Sequence, residues 1–122
     1  MSTYSIPLAS PVGTNIFVDT ASTATGVSIK GSAGTVFTLD VDNTATTSVT
    51  VFSKLYDKAT AASVGTDPPD IQMRVKSGKR LAMSYGAQGC AFTLGISSAT
   101  TTAGGTTSTA APTHSVILRL HY

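Results

Sequence analysis

Few residues in this chain could do chemistry, and their spacing keeps them apart. His114 and His121 are the only histidines. Their separation is an odd number of residues, so a strand holding both would point them to opposite faces, where they cannot bind one metal together. A cupin-like enzyme, which presents histidines jointly to a metal, is disfavoured on that ground. Asp40 and Asp42 lie two apart and share one strand face. General acid–base work needs two carboxyls converging in a cleft with pKa values pushed apart, whereas two carboxylates on a wet strand face read as a solvated rim. Asp40-Val41-Asp42-Asn43 also brings three oxygen-bearing side chains together, a weak calcium candidate. The glycine and glutamate positions of an EF-hand loop are missing from it. Serines abound, but there is no Gly-x-Ser-x-Gly elbow and no phosphate-cradling glycine motif, and no convergent nucleophile, base and orienting acid can be assembled. Cys90 is the single cysteine. It can form no intramolecular disulfide and no cysteine-based metal motif, which fits a reducing compartment. The expectation is a non-enzymatic chain with no cofactor and no metal.

The one charge cluster is Arg74, Lys76, Lys79 and Arg80, half of the eight basic residues within a seven-residue stretch. Arg74 and Lys76 share the outer face of a strand, and the turn that follows brings Lys79 and Arg80 close by. A solvated strand face is the plain reading. The functional one is a partner-binding patch, because clustered cations steer association with an acidic protein surface. Nucleic acid is disfavoured: the net charge is only +2 and few aromatics are interleaved with the basic residues.

These residues must be positioned by 122 residues of which 41% are hydrophobic and 11% charged, against about 25% charged in an ordinary soluble domain. The length fits one domain that folds without staples. Glu and Trp are absent, while Thr, Ser, Ala and Gly are plentiful. That mixture argues against helices and for strands, and it implies a hydroxyl-rich surface. Nothing approaches the apolar run of a membrane span. The opening residues lack the basic start and apolar stretch of a secretory signal, so the chain reads as made and assembled in a cytoplasm.

Period-two alternation between turn signals gives about eight candidate strands, the pattern of an all-β protein. The expected fold is a single antiparallel β-sandwich, jelly-roll-like or, alternatively, immunoglobulin-like, with its sheet edges closed off. Short strands fall at 15–19 and 26–30. Leu39 and Val41 alternate with Thr38, Asp40 and Asp42. From Val49 to Tyr56, Val49, Val51 and Leu55 face one way, while Thr50, Phe52, Lys54 and Tyr56 form a second face free to meet a neighbour. After a proline-broken loop over 57–70, Ile71, Met73 and Val75 face inward. Ser77-Gly78 then turns the chain into a strand carrying Leu81, Met83 and Tyr85 on one face, so that 71–85 reads as a β-hairpin. Cys90, Phe92, Leu94 and Ile96 form another alternating set, with Cys90 a small buried hydrophobe. Val116, Leu118, Leu120 and Tyr122 share a face of the last strand. Residues 1–13 read as a possible extended arm. Residues 99–113 read as a long Thr/Ala/Gly loop that needs something packed against it, a neighbouring subunit or another partner.

Five stretches together resemble a known class: Leu39-Asp40-Val41-Asp42-Asn43-Thr44; Lys54-Leu55-Tyr56-Asp57-Lys58-Ala59; Val64-Gly65-Thr66 with Pro69-Asp70-Ile71; Arg74-Val75-Lys76-Ser77-Gly78; and Phe92-Thr93-Leu94-Gly95-Ile96-Ser97. Over residues 34–122 the chain resembles small all-β virion structural proteins of tailed bacteriophages, of the head decoration or cement type. The first 30 residues lie outside the likeness. It implies an architecture and a role but no site residues. That role is a viral structural protein on the capsid surface, partnered by the major capsid protein and by copies of itself. Symmetry sites on a capsid favour a homotrimer, and no nucleic acid or membrane partner is implied. A tail, neck or fibre component shares the same composition. A carbohydrate-binding sandwich module is the alternative from another class, and it would need exposed aromatics, with Tyr56 beside Phe52 the best candidates.

Overall fold

The structure, a computed structural model, describes residues 15–122. The expected arm at 1–13 lies outside them. The described residues form ten strands and no helix: β1 (Ile16–Asp19), β2 (Val27–Lys30), β3 (Gly34–Val36), β4 (Thr38–Asp42), β5 (Val51–Tyr56), β6 (Ile71–Val75), β7 (Arg80–Ser84), β8 (Cys90–Phe92), β9 (Ile96–Thr101) and β10 (Ile117–His121). One sheet has the order β1-β10-β4-β7, a second the order β2-β9-β5-β6, and β3 pairs with β8 in a small third sheet. Every pairing is antiparallel. Leu39, Val41, Leu118 and Leu120 of the first sheet meet Val51, Leu55, Met73, Val75 and Ile96 of the second in one core. All are buried to within 4%, each contributing roughly 1.5–3 kcal/mol. The fold is therefore the expected all-β antiparallel sandwich.

Alternation places β4, β6 and β10 correctly, because each has one dry and one wet face. It misplaces β7. Residues 71–85 do not form a hairpin: β6 pairs with β5 in one sheet and β7 with β4 in the other. The turn itself is present, with Gly78 at φ 70° and Lys79 N–H donating to the Lys76 carbonyl at 3.2 Å, but the chain crosses between layers there instead of folding back. Asn43 holds that crossing. Its backbone N–H donates to Lys79 O and its carbonyl accepts from Gly78 N–H. Its side-chain Nδ2 donates to the carbonyls of Val49 (2.9 Å), Val75 (3.2 Å) and Lys76 (3.2 Å). A residue at the end of the first sheet thus fastens the start of β5 and the end of β6 in the second. Because Nδ2 serves three carbonyls, Oδ1 must accept, and His114 Nε2 donates to it at 2.6 Å.

A second correction concerns β8 and β9, which the pattern joined into one strand through Leu94. The chain breaks at 93–95, and Leu94 is 60% exposed. Asp57 causes the break by accepting from Thr93 N–H, Thr93 Oγ1, Leu94 N–H and Gly95 N–H, which curls these three residues around one carboxylate.

The expected loop at 99–113 begins later, since Ala99, Thr100 and Thr101 belong to β9. Every residue of that strand is buried. Polar Ser and Thr residues therefore lie inside, where a hydroxyl-rich surface was expected. On the core side Ser22 Oγ, Thr100 Oγ1 and Ser53 Oγ bond one another at 2.8 and 3.1 Å. On the other side Ser97 Oγ accepts from Ala62 N–H and Thr101 Oγ1 donates to the Ala103 carbonyl, so these hydroxyls are satisfied within the protein, whereas the buried Ser98 hydroxyl has no partner among the described residues.

The covering of the loop is also internal. Residues 102–115 fold back over the outer face of the second sheet: Lys54 Nζ donates to Gly105 O at 2.7 Å, and Gly105 N–H to Gln72 Oε1 at 2.8 Å. A β-carbon on Gly104 would sit 3.1 Å from the Phe52 ring. The face of β5 that was expected to meet a neighbour is thus occupied by the chain itself, with Tyr56 packed against Ala62, Ala99 and Val64. Lys54 is fully buried with no carboxylate beside it, and the loss of solvent pushes its ammonium below the usual lysine range.

Two predictions follow from these contacts. Asn43→Asp keeps the shape but cannot donate to three carbonyls, and is expected to lower the unfolding free energy by roughly 3 kcal/mol or more in urea titrations. For Lys54, a folded pKa below the unfolded value means that the unfolded chain binds the extra proton, so stability rises with pH through that interval. Relative to Lys54→Met, the wild type is expected to gain stability between neutral pH and the ordinary lysine value of 10.5, read as a narrowing of the difference in urea midpoints.

Candidate functional site

The turn after β6 and the start of β7 form one corner of the sandwich, where Arg74, Val75, Lys76, Lys79, Arg80 and Leu81 line an open groove of about 350 Å³. All four residues of the sequence-predicted patch are therefore on it. Their states differ. Arg80 is committed: its Nε donates to Asp40 Oδ1 at 2.9 Å and its Nη2 to Asp40 Oδ2, a forked ion pair across the β4–β7 ladder. Arg74, Lys76 and Lys79 are exposed and have no carboxylate partner among the described residues.

The acids show why the charge at this corner is uncompensated. Asp19 accepts from Ala21 N–H, Asp40 from Arg80, and Asp42 from the N–H and hydroxyl of Thr44, which hold its carboxyl below the usual range. Asp67 takes Lys58 at 2.5 Å and the Ser63 N–H. Asp70 accepts from Asp57 N–H. Asp57 faces the four donors of the 93–95 turn, which pull its carboxyl down to about 2, with the Thr93 N–H the largest contributor. Every one of the six carboxylates has an internal partner. Three cations at one corner do not.

The other chemical candidates do not converge. Asp40 and Asp42 share the outer face of β4 as expected, but one is paired with an arginine and the other caps a turn. Asn43 points into the molecule, so the calcium reading of 40–43 fails by geometry. His114 is engaged on Asn43 and His121 lies on β10, on the opposite side of the first sheet from the core residues Leu118 and Leu120. No group of three or more metal-ligating side chains occurs among the described residues. Lys54, the one desolvated amine, lines neither the basic groove nor the smaller depressions around Asp57 and Asp70, so no substrate reaches it from them. Among the described residues no helix is long and apolar enough to cross a membrane. Tyr56 is 2% exposed and Phe52 is half-buried under the 102–115 loop. No aromatic among the described residues is exposed, so the stacking platform that a carbohydrate-binding module needs is missing there.

Sequence reasoning missed the apolar part of this corner. Leu81 and Met83 lie opposite Val41 and Leu39, which are fully buried, yet remain 40% and 45% exposed. They face the core side of an edge that none of the described residues pairs with, where closed sheet edges were expected. The sequence shows Leu81 and Met83 on one face, but alternation alone cannot tell an edge strand from an inner one, and in the structure all five residues of β7 are exposed.

No protein-family model matches the chain, and no curated protein or solved structure matches it either. The functional reading therefore rests on the corner itself and on the sequence resemblance.

The Asp57 contacts yield a pH prediction. A carboxyl depressed in the folded state stabilises the fold above its ordinary value of 3.8, and that contribution is lost as pH falls toward about 2. Asp57→Asn is expected to be less stable than wild type at neutral pH, with the difference shrinking across that window. Thermal melts of both proteins at stepped pH check this.

Proposed function

We propose that this chain is a non-enzymatic structural protein of a bacteriophage virion, a capsid decoration (cement) protein that binds the head surface and bridges neighbouring capsomers. The sequence resemblance over residues 34–122 supports the class. The observation that carries the mode of action is the charge distribution: all six carboxylates are used internally, and Arg74, Lys76 and Lys79 face outward at one groove without counter-ions. An uncompensated cationic corner on a nearly neutral protein favours an acidic protein surface, and it orients the encounter.

In this reading the basic corner faces the major capsid protein, and copies of the chain assemble about a local symmetry axis of the shell, a homotrimer matching threefold positions. Each contact is weak, and repetition over the shell supplies the holding force against internal pressure. The protein is made and assembled in the host cytoplasm and ends on the capsid surface. A rigid sandwich whose second sheet is sealed by its own loops suits a component that is exposed on a particle and performs no turnover.

The test is to count copies by quantitative mass spectrometry of purified particles, relative to the major capsid protein. Copies on the order of hundreds are expected for a shell component with icosahedral positions. A dozen or fewer would move the protein to the tail, neck or fibre, and absence would reject a virion role. Arg74→Glu with Lys76→Glu is expected to weaken association with undecorated particles at least about tenfold, equivalent to 1.4 kcal/mol, with an unchanged melting temperature. Rising salt should weaken the wild type in the same direction. Unchanged occupancy would remove the corner from the mechanism.

A further inference from the structure

Among the described residues β7 is the last strand in its sheet, with β4 on one side and no strand on the other. The direction of its unpaired groups follows from two bonds that bracket the ladder: Tyr85 N–H donates to Phe37 O and Asn43 N–H to Lys79 O, both at 2.9 Å. In an antiparallel pair this pattern repeats every second residue. Leu39 with Met83 and Val41 with Leu81 are therefore the bonded pairs. The N–H and C=O groups of Arg80, Ala82 and Ser84 point off the edge, a free ladder three residues deep. An open edge of this kind is a template for another strand.

Two further features say what that strand must be. Leu81 and Met83 lean over the core side of the edge at 40% and 45% exposure, so an added strand buries apolar side chains at alternate positions beside them. The groove with Arg74, Lys76 and Lys79 lies at the Arg80 end of β7, which an antiparallel segment reaches with its C-terminal end. We propose that β7 is a docking edge: an extended segment of an acidic partner protein pairs antiparallel with it, sets alternate apolar residues against Leu81 and Met83, and places carboxylates at its C-terminal end among Arg74, Lys76 and Lys79. Main-chain bonds give the affinity, and the groove gives direction and register. The proposal rests on the virion reading only for where the partner is found. The chemistry of the segment comes from the edge itself. The rival occupant is the first 14 residues of a second copy, which contain no charged side chain and leave the three cations unanswered.

The experiment titrates the full chain with a synthetic peptide of about nine residues, alternating valine and threonine and ending in two aspartates, with a two-lysine ending as control. NMR-detected hydrogen exchange is the readout. The acidic peptide is expected to slow exchange at the amides of Ala82 and Ser84 at least tenfold, and to leave those of Leu81 and Met83, already bonded to β4, unchanged. Ala82→Pro deletes one outward N–H at an edge position where proline is tolerated and is expected to weaken binding at least tenfold. Lys76→Glu with Lys79→Glu gives an independent loss from the surface, should the proline variant fail to fold. The proposal is overturned if saturating acidic peptide leaves β7 exchange unaltered, or if the lysine peptide binds equally. It is also overturned if the β7 amides are already protected in the protein alone and lose that protection on dilution, the mark of a second copy on the edge. Peptide binding without particle association would reject the virion role and keep the docking edge. Particle association that survives Ala82→Pro, without peptide binding, would do the reverse.

Discussion

A carboxamide at the end of β4 sits where three carbonyls from the opposite layer converge, and the geometry of the basic corner depends on it. With Nδ2 held by Val49, Val75 and Lys76 and Oδ1 held by His114, Asn43 has no freedom to turn. Its backbone in turn fixes Gly78 and Lys79. The chain can therefore leave β6 in one sheet and enter β7 in the other through a two-residue turn. That crossing brings Arg74 and Lys76 from the end of β6 and Lys79 and Arg80 from the start of β7 to one groove. A residue type usually found on surfaces and in turns becomes the fastening of two layers because every one of its polar groups is satisfied.

The same logic of internal satisfaction runs through the rest of the molecule and decides what is left for a partner. The hydroxyls of Ser22, Ser53, Ser97, Thr100 and Thr101 take places that apolar side chains fill in most sandwiches, and bond one another or nearby backbone. Aspartates close turns or pair with lysine and arginine. The Lys54 ammonium donates a hydrogen bond to a loop carbonyl, that of Gly105. Along β7 and its turn three kinds of unmatched group meet: three cations without a carboxylate, two half-covered apolar side chains and one row of backbone groups; Lys30, Arg119, Ile16, Val18 and Leu94 are left over singly elsewhere.

Much of the fold was legible in the sequence where one face is wet and the other dry, as in β4, β6 and β10. It was not legible where both faces are covered. β9 reads as a polar, aperiodic tract because its hydroxyls are buried on either side, and Lys54 reads as a surface residue because nothing local announces the loop that seals it. Sheet membership was also hidden, since Ser77-Gly78 makes the same tight turn whether the chain folds back or changes layers. Only the distant Asn43 distinguishes the two outcomes. In the candidate site, the cluster of Arg74, Lys76, Lys79 and Arg80 was readable from spacing. The neutralisation of Arg80 was not, because its partner Asp40 is 40 residues away in sequence, and neither was the open edge, because alternation reports which way Leu81 and Met83 point and not whether anything lies beyond them.

The first sheet has a consequence for how the protein comes to be. Its order, β1-β10-β4-β7, puts the last of the ten strands between the first and the fourth. While the ribosome is still delivering the chain, β1 has no partner and β4 is paired on one side only. The sheet carries a gap one strand wide that none of the nine earlier strands fills. Closure therefore waits until β10 has emerged and joins residues about a hundred positions apart, the kind of non-local pairing that folds in milliseconds to seconds. Until then the nascent chain displays two unsatisfied strand edges, and the last of the ten strands to emerge is the one that removes them.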